Sequence, residues 1–440
     1  MRSSRLGRDV LPALLPALCL VACSTPPTDQ SQSEAPPPNI VLIISDDQAW
    51  GDFGFMGHPE IRTPNLDRLA AQSLWFPRGY VPSSLCRPSL ATMITGQYPH
   101  QHKITGNDPP KGVPRDRMLD HIAAVQTLPK MLAPLGYRSL QTGKWWEGNC
   151  TCGGFSEGMT HGEPARGGRH GDDGLRIGRE TMQPIYDFVA DCGDEPFLLW
   201  YAPFLPHTPH NPPERLLAHY QKPSRSPHIA RYYAMCEWFD ETCGQLLDHL
   251  DERGLTENTM VLFCVDNGWI QRPNRRGFAA RSKRSPYEGG VRTPIMVRWP
   301  GQVAPGRSEV LCSTVDLVPT ALRACGLQAP EDLPGRDLVA LAEDPAAEDR
   351  AVFGEIFAHD VVDVDEPASS LKFRWMVRDR WKIIVANRPD RGPELYDIIE
   401  DPAERTDLSD ANQLVVKELR TNLNAWWDGQ PAQGQETGDK

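Results

Sequence analysis

Residues 39–47 read NIVLIISDD. The run from Ile40 to Ser45 is apolar, short and rich in β-branched residues, and it ends abruptly in two carboxylates. A strand with a polar face alternates, whereas one buried on both faces has no such face to show, so this run predicts a strand inside a sheet covered on both sides. Similar runs occur at Phe197–Ala202 and Thr259–Val265, and Pro294–Trp299 reads as a fourth. Helical stretches separate them. Thr63-Pro64-Asn65-Leu66 opens one with an N-cap and a proline at the first position, and Ile229 to Leu250 gives a long one. Strands alternating with helices predict an α/β fold with a mostly parallel sheet, whose ligands gather at the carboxyl ends of the strands. From about Val352 the pattern changes. KFRWMVRDRWKIIV alternates and then turns, and ELYDIIEDPAERTDL leads to a closing helix at Asn412–Trp427. The chain therefore divides into a main domain over 39–350 and a smaller antiparallel β plus α subdomain over 351–440.

The strand ends carry chemistry. Asp46 and Asp47 close the first strand, and Val265-Asp266-Asn267-Gly268 closes another. Two strand ends offering only oxygen ligands suit a hard divalent cation, calcium or else magnesium, better than zinc. Between them lies Cys86, followed by Pro88 and by Leu90, Met93 and Ile94 at helical spacing. The cysteine thus starts a helix, on the positive end of its dipole, where an anion or a reactive group is favoured.

The 440 residues carry a formal charge of −12, which excludes non-specific nucleic-acid binding as a class. Arg2, Arg5 and Arg8 precede a short apolar run from Val10 to Ala22, too short to span a bilayer as a stable helix. Leu20-Val21-Ala22-Cys23 resembles a bacterial lipobox, which implies cleavage after residue 22, lipid on Cys23 and a cell-envelope location anchored to the membrane. Residues 23–38, rich in Pro, Ser and Gln, form a tether. Export permits disulfides among the remaining cysteines, but Cys150-Thr-Cys152 has no second pair at zinc-site spacing, so loop disulfides or free thiols are expected.

Asp46-Asp47, Cys86 before a helix, Gly143-Lys144-Trp145, Pro206-His207-Thr208-Pro209, Asp266-Asn267-Gly268 and Lys283 ahead of Glu288-Gly289-Gly290 occur in an ordered series. TPNLDRLA from Thr63, within the series, and ELYDIIEDPAERTDL from Glu394, after it, accompany these motifs. In this order the sequence resembles the type I sulfatases over about Asn39 to Leu408. The resemblance implies the alkaline-phosphatase-like fold, a mixed, mostly parallel sheet between helices. It also implies a calcium-dependent sulfuric ester hydrolase whose cysteine, here Cys86, is oxidised to formylglycine by a formylglycine-generating enzyme. Asp46, Asp47, Asp266 and Asn267 would hold the cation with the converted Cys86. Lys144, His207 and Lys283 would surround the sulfate, with His207 or Lys283 protonating the leaving oxygen.

Two positions depart from the family pattern Cys-x-Pro-x-Arg and Gly-Lys-Trp-His. Leu90 stands where the arginine is expected and Trp146 where the histidine is. Arg166, Arg169 and His170, in the glycine-rich GEPARGGRHGDDG, are candidate substitutes. Export, twelve tryptophans and Arg272, Arg275, Arg276, Arg281 and Arg284 around Lys283 point to a sulfated carbohydrate as substrate. Two other readings are a non-catalytic sulfoglycan-binding lipoprotein and a phosphoester or phosphonate hydrolase of the same superfamily.

Overall fold

Every residue of β1 (Asn39–Ser45) is buried, and its side chains divide by parity between two cores. Ile40, Leu42 and Ile44 enter one and Val41 and Ile43 the other. This is the physical reason for the uninterrupted apolar run: both faces of the strand are covered. The computed structural model describes residues 36–431. The leader over 1–22, Cys23 and the tether up to residue 35 lie outside the described residues.

The main sheet contains β1, β2 (Leu74–Tyr80), β3 (Arg138–Gly143), β4 (Glu157–Gly158), β5 (Phe197–Ala202), β6 (Thr259–Val265), β7 (Arg292–Arg298), β8 (Gly306–Arg307) and β9 (Cys312–Ser313). Their order is β4-β3-β5-β1-β6-β7-β2-β8, with β9 beside β2. β1 sits centrally, parallel to both β5 and β6, with Asn39–Ser45 opposite Thr259–Val265. Only β7 runs against its neighbours β6 and β2, which makes the sheet mixed but mostly parallel. Helix α2 (Cys86–Thr95) packs Leu90, Met93 and Ile94 into the first core. On the other face, α1 (Pro64–Ala71) contributes Leu66 and Leu69, and α3 (Pro227–Glu252) contributes Met235, Phe239 and Leu246. Thr63 precedes α1 as expected, but its hydroxyl donates to Asp67 and accepts from Gly54 N instead of capping the helix.

The second sheet is an antiparallel meander of β10 (Ala351–Phe357), β11 (Leu371–Arg378), β12 (Trp381–Ala386) and β13 (Glu394–Asp397). α4 (Gln413–Trp426) covers one face, Leu419 and Leu423 meeting Met376, Ile383 and Leu395. The opposite face brings Trp375, Val377, Ile384 and Tyr396 into the first core of the main sheet. The second sheet is thereby welded to the first by apolar packing. All nine described cysteines are free thiols, Cys150 and Cys152 included. No described helix is long and apolar enough to cross a membrane.

Candidate active site

Because β1 and β6 are paired in register, their carboxyl ends deliver Asp46-Asp47 and Asp266-Asn267 to one spot. The Asp47 backbone N–H donates to Asp266 Oδ1 (3.0 Å), and Asn267 Nδ2 donates to Asp47 Oδ1 (2.6 Å). Asp47 holds a left-handed φ of 64°, an unfavourable conformation for a non-glycine residue that the surrounding bonds sustain. β3 ends at Gly143, whose φ is 77° and where a Cβ would lie 1.9 Å from Ala202 O, so only glycine permits this turn. The turn aims Lys144 inward, with Nζ 2.6 Å from Asp46 Oδ1 and 3.6 Å from Asp266 Oδ2. Lys283 enters from the loop before Glu288, with Nζ 2.5 Å from Asp47 Oδ1 and 3.0 Å from Cys86 Sγ. His207 stacks on Phe204 at 4.2 Å between ring centres. Its Nδ1 lies 2.6 Å from Thr208 O, and a carbonyl only accepts, so Nδ1 carries the proton and Nε2 faces Asp47 Oδ2 at 3.3 Å.

Burial pushes the Asp46 carboxyl well above its usual range, and the nearby acids Asp266 and Asp47 add to it against Lys144. Burial also opposes the charge on Asp47, but the Lys283 ammonium beside it, foremost, holds that carboxyl well below the usual range. Lys283 loses solvation too, and Asp47 more than compensates, so its ammonium is held charged. Burial drives His207 well below the usual imidazole value. Burial pushes the Cys86 thiol up to about 12, with Lys144 and Lys283 offsetting only part of the shift. As a thiol, Cys86 is therefore protonated at neutral pH and a poor nucleophile.

One oxygen each of Asp46, Asp47, Asp266 and Asn267 is buried here without a hydrogen-bond partner. Four orphaned oxygens in one place are costly unless something positive meets them. The donors are hard oxygens from three carboxylates and an amide, which fits calcium or magnesium. Ligand atoms of Asp46, Asp47, Cys86 and His207 also lie within 4.8 Å of one another.

The site floors a cleft of about 970 Å³ that Cys86, Asp47, His207 and Lys283 all line. Of the candidate substitutes, Arg169 and His170 line the same cleft. Arg166 does not; it is half exposed and turned to Asp173 and Glu163, which hold it at the surface. Leu90 is buried in the first core. Trp146 is buried, with the guanidinium carbons of Arg115 and Arg169 5.4 and 4.8 Å from its ring centre and the His170 ring at 5.3 Å. In the basic run, Arg276 and Arg284 reach the cleft beside Lys283. Arg281 turns instead onto Tyr287, its guanidinium 4.3 Å from the ring centre.

Several residues escaped the sequence reading. Arg87, next to Cys86, is fully buried and grips Glu147 through two 2.7 Å bonds, while its backbone N–H donates to Asn107 Oδ1. These contacts fix the head of α2. His228, Arg231 and Trp269 also line the cleft. On a long helix, Arg231 carries no signal to separate it from a solvated charge.

A sequence profile of the sulfatase family matches residues 38–327, and a profile described as N-sulphoglucosamine sulphohydrolase, C-terminal, matches residues 278–428. The chain is 34% identical over 355 residues to human arylsulfatase A, covering 70% of this chain and 68% of that protein. It is 24% identical to the N-acetylgalactosamine-6-O-sulfatase of Bacteroides thetaiotaomicron, covering 94% of this chain and 98% of that protein. A solved structure of a protein with its substrate D-glucosamine-2-N,6-O-disulfate superposes with a TM-score of 0.73 at 20% identity, covering 89% of this chain and 98% of the other.

Proposed function

Since the chain belongs to the sulfatase family, and is a sulfuric ester hydrolase by that membership, we propose that it releases sulfate from a sulfated carbohydrate using a calcium ion and a formylglycine made from Cys86. The observation that carries the reading is one cluster: Cys86 Sγ lies 3.0 Å from Lys283 Nζ, beside four buried oxygens without partners. The relative named for N-acetylgalactosamine 6-O-sulfate and the structural neighbour with a disulfated glucosamine support a sugar substrate.

Asp46, Asp47, Asp266 and Asn267 would hold the cation, which would supply positive charge for sulfate oxygens and lower the pKa of a neighbouring hydroxyl. A formylglycine at position 86 would supply an oxygen nucleophile that the protonated thiol of Cys86 does not. Lys283 stays an ammonium and holds its charge at the position of Cys86, where negative charge develops. Lys144 places a second positive charge on the same side. His207 is neutral when the site is empty of substrate; an anionic sulfate at Nε2 draws a proton onto the ring, and that proton serves the leaving oxygen. Trp146 and His170 wall the cleft and limit water.

Upstream, lipid on Cys23 and the Pro- and Ser-rich tether to residue 38 make the enzyme an envelope-anchored one that meets its substrate outside the cytoplasm. The test is sulfate release from a 6-O-sulfated hexosamine and from a small aryl sulfate, with calcium present and after chelation. Metal-dependent release of inorganic sulfate is expected. Calcium-dependent binding of the sugar without release would instead favour a binding protein.

A further inference from the structure

Beyond the floor of the cleft, one wall is strongly basic. Among the residues that line the cleft, Asp47 is the only carboxylate, and its charge is already engaged by Lys283. Facing it are Arg169, Arg231, Arg276, Lys283 and Arg284. Arg169 is committed to Asp108. Arg231, Arg276 and Arg284 have no carboxylate partner among the described residues, an unusual concentration of free positive charge on a chain of net charge −12.

Two of these arginines belong to one rigid wall. Arg231 follows His228 by three residues on α3, so both project from the same side of the helix into the cleft. Arg276 sits on the loop 271–278, which is closed by pairing of Gln271 with Phe278. The buried Gln271 amide ties that loop further, donating to Arg272 O (3.0 Å) and Arg275 O (3.1 Å). Ser226, at the start of α3, donates its hydroxyl to Pro273 O on the same loop, which fastens helix and loop together. Phe278 lines the cleft beside them and offers an aromatic surface for a sugar ring.

Resting on the sulfatase reading, we infer that His228, Arg231 and Arg276 form a subsite for a second anionic group of the substrate, a carboxylate or a sulfate on the sugar next to the one being desulfated. Two guanidiniums on anchored elements, neither held by a carboxylate among the described residues, can both turn to a planar or tetrahedral oxyanion. The single sulfate at Cys86 is already met by Lys144, His207 and Lys283, so this wall has no charge to neutralise unless the substrate brings another.

The test uses three disaccharides that share a 6-O-sulfated hexosamine and differ in the neighbouring sugar: a neutral hexose, a hexuronate or a sulfated hexose. Calorimetric affinities are measured on a Cys86→Ser background, and kcat/KM on the unsubstituted enzyme. We expect the anionic neighbours to bind about tenfold tighter than the neutral one, with the preference weakening as salt rises. The better of the two identifies the group as carboxylate or sulfate. Arg231→Gln with Arg276→Gln should bring the ratio to about one and leave the neutral disaccharide unchanged. Arg231→Lys should keep part of the preference. Equal affinity for all three compounds, or a preference that survives the double substitution, overturns the subsite. Absence of sulfate release from every compound would overturn the reading of a 6-O-sulfated hexosamine as substrate, while the affinity ratios still decide the subsite.

Discussion

At the scale of the residue, Asp266 has two jobs. Oδ1 accepts from the Asp47 N–H and holds the strained backbone there, while Oδ2 is one of the four orphaned oxygens. On the proposed reading, Asp266→Ala therefore removes a ligand of the cation and loosens Asp47 with it. Turnover should fall by more than about 100-fold, and the rise in melting temperature on adding calcium should vanish. Unchanged metal content in that variant would take Asp266 out of the site. The meeting of Asp46-Asp47 with Asp266-Asn267 was legible because each pair follows an apolar strand directly, so strand end and carboxylate are adjacent in sequence. The meeting of Cys86 with Lys283 came only from the family resemblance, since it joins residues 197 apart through a loop whose path the sequence does not encode locally. Arg87 escaped notice because nothing local in the sequence signals that an arginine is buried, and here Glu147 neutralises it in the interior.

At the scale of the element, the loop carrying Lys283 is tied to the second sheet by a buried ion cluster. Lys382 on β12 reaches Glu288 Oε1 at 2.9 Å and Glu404 Oε1 at 3.0 Å, and the Glu288 N–H donates to Glu404 Oε2. Lys382→Met leaves two buried carboxylates without their cation and should cost about 3–5 kcal/mol. A loss under about 1 kcal/mol in a denaturation series would show that the cluster does not hold the sheets together. Glu404 gives the cluster a pH dependence. Burial raises its carboxyl from 4.5 to about 7, more than Lys382 lowers it. Between those values the folded chain keeps a proton that the unfolded chain releases, so this group's contribution is full below 4.5 and declines as pH rises through about 7. Glu404→Gln should gain melting temperature relative to the unsubstituted chain as pH rises through that window. A relative loss would mean that the carboxylate is the stabilising form. The four apolar strands were legible, and so was the β11–β12 hairpin. β2 and β3 were not: β2 contains Pro77 and a register shift between Phe76 and Gly79, and β3 buries Ser139, Gln141 and Thr142. Tertiary pairing overrides local propensity at both.

At the scale of the whole molecule, a chain of net charge −12 gathers unpaired arginines in one cleft, which draws anions to one place. The leader and Cys23 would confine that chemistry to the envelope. Detergent-phase partitioning should be lost in Cys23→Ala, and partitioning that persists would remove the lipid anchor. The central proposal is that a catalytic centre built for an anion uses a converted cysteine although Leu90 and Trp146 stand where the family pattern has arginine and histidine. The mass of the Cys86 peptide, taken from protein made in its own host and releasing sulfate, tests this most directly. The prediction is an aldehyde or its hydrate in place of the thiol. A fully alkylatable Cys86 thiol in protein that still cleaves sulfate esters would contradict it.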